Sequence, residues 1–206
     1  MSFKPDIYAA AAIGELSARF TRVRAGVDVG FGDAAVSQLL RTACPGVWMT
    51  VEDGSAARSR VAETLDPKTV LQLGTGGEMP FDDHQFEVVV LSGAMLDGDR
   101  TRAANLLREM HRVLQGGGCL IFTVSESGSE NGPGFTQRGI YDLLKDGFDV
   151  VGLKRPPWWK FGAAGRTMTF CARRKNWRSR TAQIVGKSMP VSPAMLSGRD
   201  RKGGLR

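Results

Sequence analysis

The sequence predicts an α/β chain built on a doubly wound, mostly parallel sheet, followed by a basic C-terminal extension. Three observations carry that prediction. Short β-branched or apolar runs alternate with segments of helical spacing through about the first 175 residues. Two runs, Phe86 to Leu91 and Cys119 to Val124, are apolar almost throughout, as strands covered on both faces must be. Beyond Lys175 the apolar periodicity fades, while Gly, Ser, Pro and Arg accumulate.

The elements follow in order. Ile7, Ala10, Ala11, Leu16 and Phe20 fall at helical spacing and predict a lead-in helix over Ile7 to Arg22. Ala25 to Val29 is a first strand, closed by Gly30-Phe-Gly-Asp33. Ala34 to Thr42 follows as a helix with Ala35, Val36, Leu39 and Leu40 on one face. Val47 to Val51 is a second strand, ending at Glu52-Asp53-Gly54. Helical spacing returns from Ser55 to Leu65, and Asp66-Pro67 ends it. Thr69 to Leu73 predicts a third strand, with Gly74 to Gly77 as its turn. Phe86 to Leu91 is the fourth. A helix from Thr101 to Leu114 places Ala104, Leu107, Met110, His111 and Leu114 on one stripe. Gly116 to Gly118 is expected to stop it before the strand Cys119 to Val124. Residues 136–146 form another helix, and Val150 to Leu153 and Thr167 to Ala172 are two late strands.

Composition bounds what such a chain does. With 206 residues, 42% of them hydrophobic, it is long enough to bury a sizeable core. No apolar run approaches the ~20 residues that span a bilayer, and Ala9 to Ile13 is too short for a secretory signal. Cys44, Cys119 and Cys171 are odd in number and lack metal-ligand spacing, which fits buried thiols in a reduced, cytoplasmic protein. His84 and His111 are isolated, so no metal site is expected. Asp82-Asp83-His84 reads as a solvated turn and His111 as a core or boundary histidine.

Charge is unevenly placed. Residues 1–153 carry a net −6, whereas residues 154–206 carry +13. The boundary between a domain of 1–175 and a tail of 176–206 rests on the loss of apolar periodicity beyond Lys175. Trp158, Trp159 and Phe161 lie among Lys154, Arg155, Lys160 and Arg166, an interleaving that stacks on bases while neutralising phosphates. Equally, the two tryptophans could plug a sheet edge or form a substrate lid.

The chemistry is expected at the first strand's end. In doubly wound sheets ligands bind outside the carboxyl ends of the strands, where strand order reverses. Gly30 and Gly32 let the backbone turn and approach a ligand closely. Glu52 and Asp53, at the end of the next strand, suit the vicinal hydroxyls of a ribose. Asp28 stands where it would meet an amine-bearing ligand. The dinucleotide fingerprint is incomplete, since Ala35 occupies its last glycine, and this disfavours a nicotinamide-dependent oxidoreductase.

These motifs together resemble a class I S-adenosylmethionine-dependent methyltransferase, over about residues 20–174. Asp28, Gly30 and Gly32 match that family's acid-x-Gly-x-Gly motif, and Glu52 matches its ribose-binding acid. Gly74 to Phe81, Phe86 to Ser92, and Leu107 to Gly118 resemble its later segments in the right order. The resemblance implies a Rossmann-like methyltransferase fold with S-adenosylmethionine as cofactor. By it, Asp28, Gly30 and Gly32 face the methionine moiety, and Glu52 holds the ribose. Asp53 and the turn with Thr75 and Gly76 border the adenine, while Leu91, Ser92 and Met95 lie beside the sulfonium.

The sequence departs from the family at Ala34, usually glycine, and at Thr75, where many members carry an acid. Gly93 to Asp97 lacks the histidine that many small-molecule methyltransferases carry there. No catalytic residue is assigned, because an in-line methyl displacement relies mainly on alignment. If an acceptor must lose a proton, Tyr141 and His84 are the side chains to consider. The acceptor is a small molecule, an RNA or a protein. The alternative reading is a non-catalytic methyltransferase-like protein that binds RNA or a ribonucleoprotein through its basic end.

Overall fold

The computed structural model describes Gly14, Leu16 and residues 23–32, 34–96, 99–127, 134–155 and 167–176. Gly14 and Leu16 are helical; the rest of the lead-in helix, Asp33, the loop bearing Trp158 and Trp159, and the tail past Asn176 lie outside the described residues.

Seven strands form one sheet: β1 (Ala25–Val29), β2 (Val47–Glu52), β3 (Val70–Gln72), β4 (Phe86–Leu91), β5 (Leu114–Ser125), β6 (Phe148–Lys154) and β7 (Thr167–Arg174). Among the described residues, four α-helices lie between the strands, α1 (Ala34–Ala43), α2 (Ser55–Ala62), α3 (Arg100–Val113) and α4 (Gln137–Leu144), as do two short 3-10 turns, Pro67–Thr69 and Gly93–Met95. The order across the sheet is β3-β2-β1-β4-β5-β7-β6. β1 to β5 run parallel, whereas β7 pairs antiparallel with both β5 and β6. Chain order therefore reverses at β1, whose neighbours are β2 and β4.

Alternation along the strands divides the core. Val89 and Leu91 of β4, with Leu120, Phe122 and Val124 of β5, face Leu106, Leu107 and Met110 of α3 and Ile140 and Leu144 of α4. Val88 and Val90, with Cys119 and Ile121, face the other way, toward Val36 and Leu40 of α1. Burial on both faces is why β4 reads as a continuous apolar run. Helix starts are capped as composition suggests: Asp99 accepts from the Thr101 amide at 2.8 Å, and Thr136 from the Gly139 amide at 3.0 Å.

The helix expected to run to Leu65 ends at Ala62, and the glycine run before Cys119 plays a different part from the one expected. Gly116 to Gly118 do not stop a helix ahead of a later strand. α3 ends at Val113, and β5 begins directly at Leu114 and runs through the glycines. Phe86 pairs with Leu114 but Val88 pairs with Cys119, so β5 bulges between them. Gly117 takes φ +80°, and a Cβ on Gly118 would lie 2.9–3.0 Å from the Gln115 and Glu87 carbonyl oxygens. The glycines are there to let the strand bulge.

Candidate functional site

Parallel pairing places three strand ends side by side and carries the hydrogen-bond ladder into their loops. Val29 stands between Val51 and Leu91. Beyond that row the Gly30 amide donates to Val51 O at 2.7 Å, Ser92 to Val29 O at 2.9 Å, and Leu73 to Glu52 O at 2.8 Å. The loops after β1, β2, β3 and β4 thus leave the sheet from one edge, at the point where strand order reverses.

Glu52 is the most informative side chain here. It is only 1% exposed, and its Oε2 accepts from the Gly32 amide at 2.9 Å. Its Oε1 is buried and accepts no hydrogen bond among the described residues. Buried polar atoms are nearly always paired, so an unpaired carboxylate oxygen beside a glycine loop calls for a donor from outside the chain. Burial pushes the carboxyl up to about 7; the Gly32 amide opposes the shift, and the nearby Asp28 and Asp53 charges reinforce it. The hydroxyls of a ribose are donors of the kind this oxygen lacks.

Asp28 lies in the interior beneath the glycine loop. Val27 and Val29 point to the α3 face, so Asp28 points to the α1 face together with Thr50, its partner in register. It is fully buried. Thr50 Oγ1 donates to it at 3.0 Å, Ser37 Oγ at 2.5 Å, and Arg41 Nη1 lies 3.5 Å away. Arg41 also donates to Thr50 Oγ1 and to the Trp48 carbonyl, both at 3.1 Å. Burial raises the Asp28 carboxyl, while Ser37, Arg41 and Thr50 oppose the rise. The network ties β1, β2 and α1 together beneath the glycine loop. Neither Ser37 nor Arg41 carries a motif signal, and only the α1 helical repeat, which sets them on one face, could have suggested them.

Gly30 adopts φ +74°, and the atoms that its missing Cβ would meet belong to Met95: Cγ at 2.3 Å and Sδ at 2.5 Å. Met95 is buried, as are Leu91 and Ser92. The glycine thus permits a close approach, and in this structure Met95 makes it.

On the other side of Glu52, Asp53 is half exposed and pairs with Arg102 of α3 at 3.3 Å. Thr75 and Gly76 are exposed at the tip of a turn. Glu78 closes that turn: its carbonyl accepts from Gly74 at 2.8 Å and its carboxylate from the Gly76 amide at 3.1 Å. Thr75 leaves this loop without an acid at its own position, but Glu78 folds one back over it. The spacing Gly74-x-x-x-Glu78 was the available signal.

Other candidates lie elsewhere. His84 precedes β4, at the opposite end of that strand from the glycine loop, and its Nδ1 contacts Arg174 Nη1 at 2.7 Å. Asp83 pairs with Arg112 at 2.9 Å. His111 meets the Phe148 ring edge-on at 5.4 Å, and Tyr141 meets Phe170 edge-on at 6.1 Å. Among the described residues no three His, Cys, Asp or Glu side chains gather as a metal site, and no helix is long and apolar enough to cross a membrane.

A doubly wound sheet reversing at β1 carries a left-handed glycine loop above it and a buried acid at the end of β2, an arrangement whose donors and acceptors suit a nucleoside. Residues 27–122 match the family model described as a methyltransferase domain. Solved structures share the fold. The N-methyltransferase NodS from Bradyrhizobium japonicum WM9, in complex with S-adenosyl-L-homocysteine, is 15% identical with a TM-score of 0.63. That match covers 80% of this chain and 84% of NodS. The PH0226 protein from Pyrococcus horikoshii OT3 is 13% identical with a TM-score of 0.61, covering 80% and 88%. The [4+2]-cyclase SpnF is 14% identical with a TM-score of 0.63, covering 79% of each chain. No curated protein matches the sequence.

Proposed function

We propose that this chain transfers a methyl group from S-adenosylmethionine to a nucleophilic atom of a small-molecule, RNA or protein acceptor. The observation that carries the reading is the buried, unpaired Oε1 of Glu52 beside the Gly32 amide, at the carboxyl ends of the strands where their order reverses. The methyltransferase match over 27–122 supports it, as does a shared fold with a protein solved with S-adenosyl-L-homocysteine. SpnF has the same fold and is named a cyclase, so the fold alone does not carry the activity.

The residues fit the cofactor in parts. Glu52 holds the ribose through Oε1 while Gly32 fixes the carboxylate through Oε2. Asp53, Thr75 and Gly76 border the adenine, with Glu78 shaping their turn. Gly30 and Gly32 present backbone toward the methionine moiety. Asp28 holds that loop from beneath through Ser37, Thr50 and Arg41. Leu91, Ser92 and Met95 line the sulfonium end. The unbranched Met95 side chain turns off Gly30 to make room, a movement that its three rotatable bonds allow. When bound, S-adenosylmethionine supplies the electrophilic methyl. The protein's part is to align that group with the acceptor and to exclude water. Residues 1–175 form this domain, residues 176–206 form a basic tail, and the cytoplasm is its compartment.

Calorimetric titration of the full chain with S-adenosylmethionine and S-adenosyl-L-homocysteine tests the reading. Micromolar binding by the wild type that Glu52→Ala removes is expected. A folded wild type that binds neither would overturn the proposal and turn attention to RNA binding by the basic end, readable as salt-dependent retention.

A further inference from the structure

We infer that Cys119 and Cys171 are a reactive thiol pair that closes to an intramolecular disulfide under peroxide, joining β5 to β7. The inference does not depend on the proposed methyl transfer. The two cysteines are 52 positions apart in sequence, yet their sulfur atoms lie 2.9 Å apart. Strand register explains the approach. Cys119 pairs with Arg173 and Ile121 with Cys171, so the cysteines are diagonal neighbours across an antiparallel pair. A separation of two residues puts both on one face of the sheet, in the cluster with Val88, Val90 and Ile121. Antiparallel pairing of β5 with β7 is what brings them together.

A disulfide has an S–S distance of ~2.0 Å, so the sulfurs are within about 1 Å of bonding distance. Diagonal neighbours, at about 7–8 Å, lie just beyond the usual disulfide span, so closure needs a small strand shift and the bond once formed is readily reversed by added thiol. Both side chains are buried, Cys119 at 4% exposure and Cys171 at 0%. The oxidant is therefore small, and Cys119 is the sulfur it reaches first.

Hydrogen peroxide meets that requirement. The Cys119 thiolate attacks one peroxide oxygen: the S–O bond forms, the O–O bond breaks, and the departing hydroxide takes a proton and leaves as water. Cys171 sulfur then attacks Cys119 sulfur, forming the S–S bond while the S–O bond breaks and a second water leaves. Two thiols give up two electrons and two protons, and one peroxide becomes two waters. Cys44, at the end of α1, is the third buried thiol and serves as an internal control.

The test uses the full chain, reduced, freed of reductant, and exposed to hydrogen peroxide before quenching. The expected result is a fall from three titratable thiols to one, a mass lower by two hydrogens, and a non-reduced peptide joining Cys119 to Cys171. Melting temperature rises by several degrees, because a loop of about 50 residues is closed in the unfolded chain, and dithiothreitol restores the starting value. Cys119→Ser and Cys171→Ser, each folded by circular dichroism, form no disulfide. Three thiols surviving in the wild type would overturn the inference, as would a crosslink or oxygen addition that maps to Cys44.

Discussion

Replacing Glu52 with Gln separates what this residue does for folding from what it does for a ligand. The wild-type carboxyl rises from an ordinary 4.5 to about 7 because it is buried. A raised acid favours the protonated fold. Its stabilising contribution is therefore complete below about 4.5 and is lost as pH rises through about 7. The difference between those values corresponds to roughly 3 kcal/mol. Glu52→Gln keeps the shape and an oxygen to accept from Gly32, but carries no charge to bury. Relative to wild type, the variant is expected to gain up to roughly 3 kcal/mol of stability between pH 4.5 and pH 8. Urea denaturation of both proteins across that range reads the difference directly, because the other titrating groups largely cancel. Above about pH 7, where the wild-type acid is ionised, the variant should lose cofactor affinity, since an amide cannot accept both ribose hydroxyls as a carboxylate does. Parallel stability profiles for the two proteins would refute the claim that Glu52 is a buried acid held ready for a ligand.

Three further outcomes follow from the same geometry. Asp28→Ala leaves Arg41 and Thr50 without their shared partner, and should cost about 3 kcal/mol of unfolding free energy with no ligand present, measured by chemical denaturation. A variant as stable as wild type would show that the Asp28 network does not hold the loop. Gly30→Ala forces a side chain into left-handed backbone and against Met95, and should destabilise by about 1–3 kcal/mol. Adding Met95→Ala should relieve the collision, so the two changes should be non-additive in thermal melts. Arg112→Ala removes contacts to the Phe81 and Met79 carbonyls at 2.7 and 3.0 Å, as well as to Asp83 and Glu109. It should lower stability by about 1–3 kcal/mol and speed amide exchange around residues 79–83.

Much of the parallel core was legible because its signals are local. β4 announces double burial through an unbroken apolar run, and β1 and β2 each end in residues whose types suit a ligand. The glycine run before Cys119 misled for an equally local reason. Helix termination and a strand bulge both use glycine, and only the pairing of Phe86 with Leu114 distinguishes them. The partners of Asp28 were not legible. Ser37 and Arg41 are ordinary helix-face residues until Asp28 is turned toward them by strand alternation. Met95 over Gly30 depends on how the loop after β4 folds back, and the nearness of Cys119 to Cys171 depends on antiparallel register. Such features come from long-range pairing, which spacing along the chain does not encode.

The central claim, that the end of β2 and the glycine loop hold S-adenosylmethionine, is tested most directly by a crystal structure of the full chain grown with S-adenosyl-L-homocysteine. The account predicts the ribose hydroxyls on Glu52, with Oε1 satisfied and the Met95 side chain turned off Gly30. Ligand bound elsewhere, or Met95 still seated on Gly30 with Glu52 Oε1 unpaired, would contradict it.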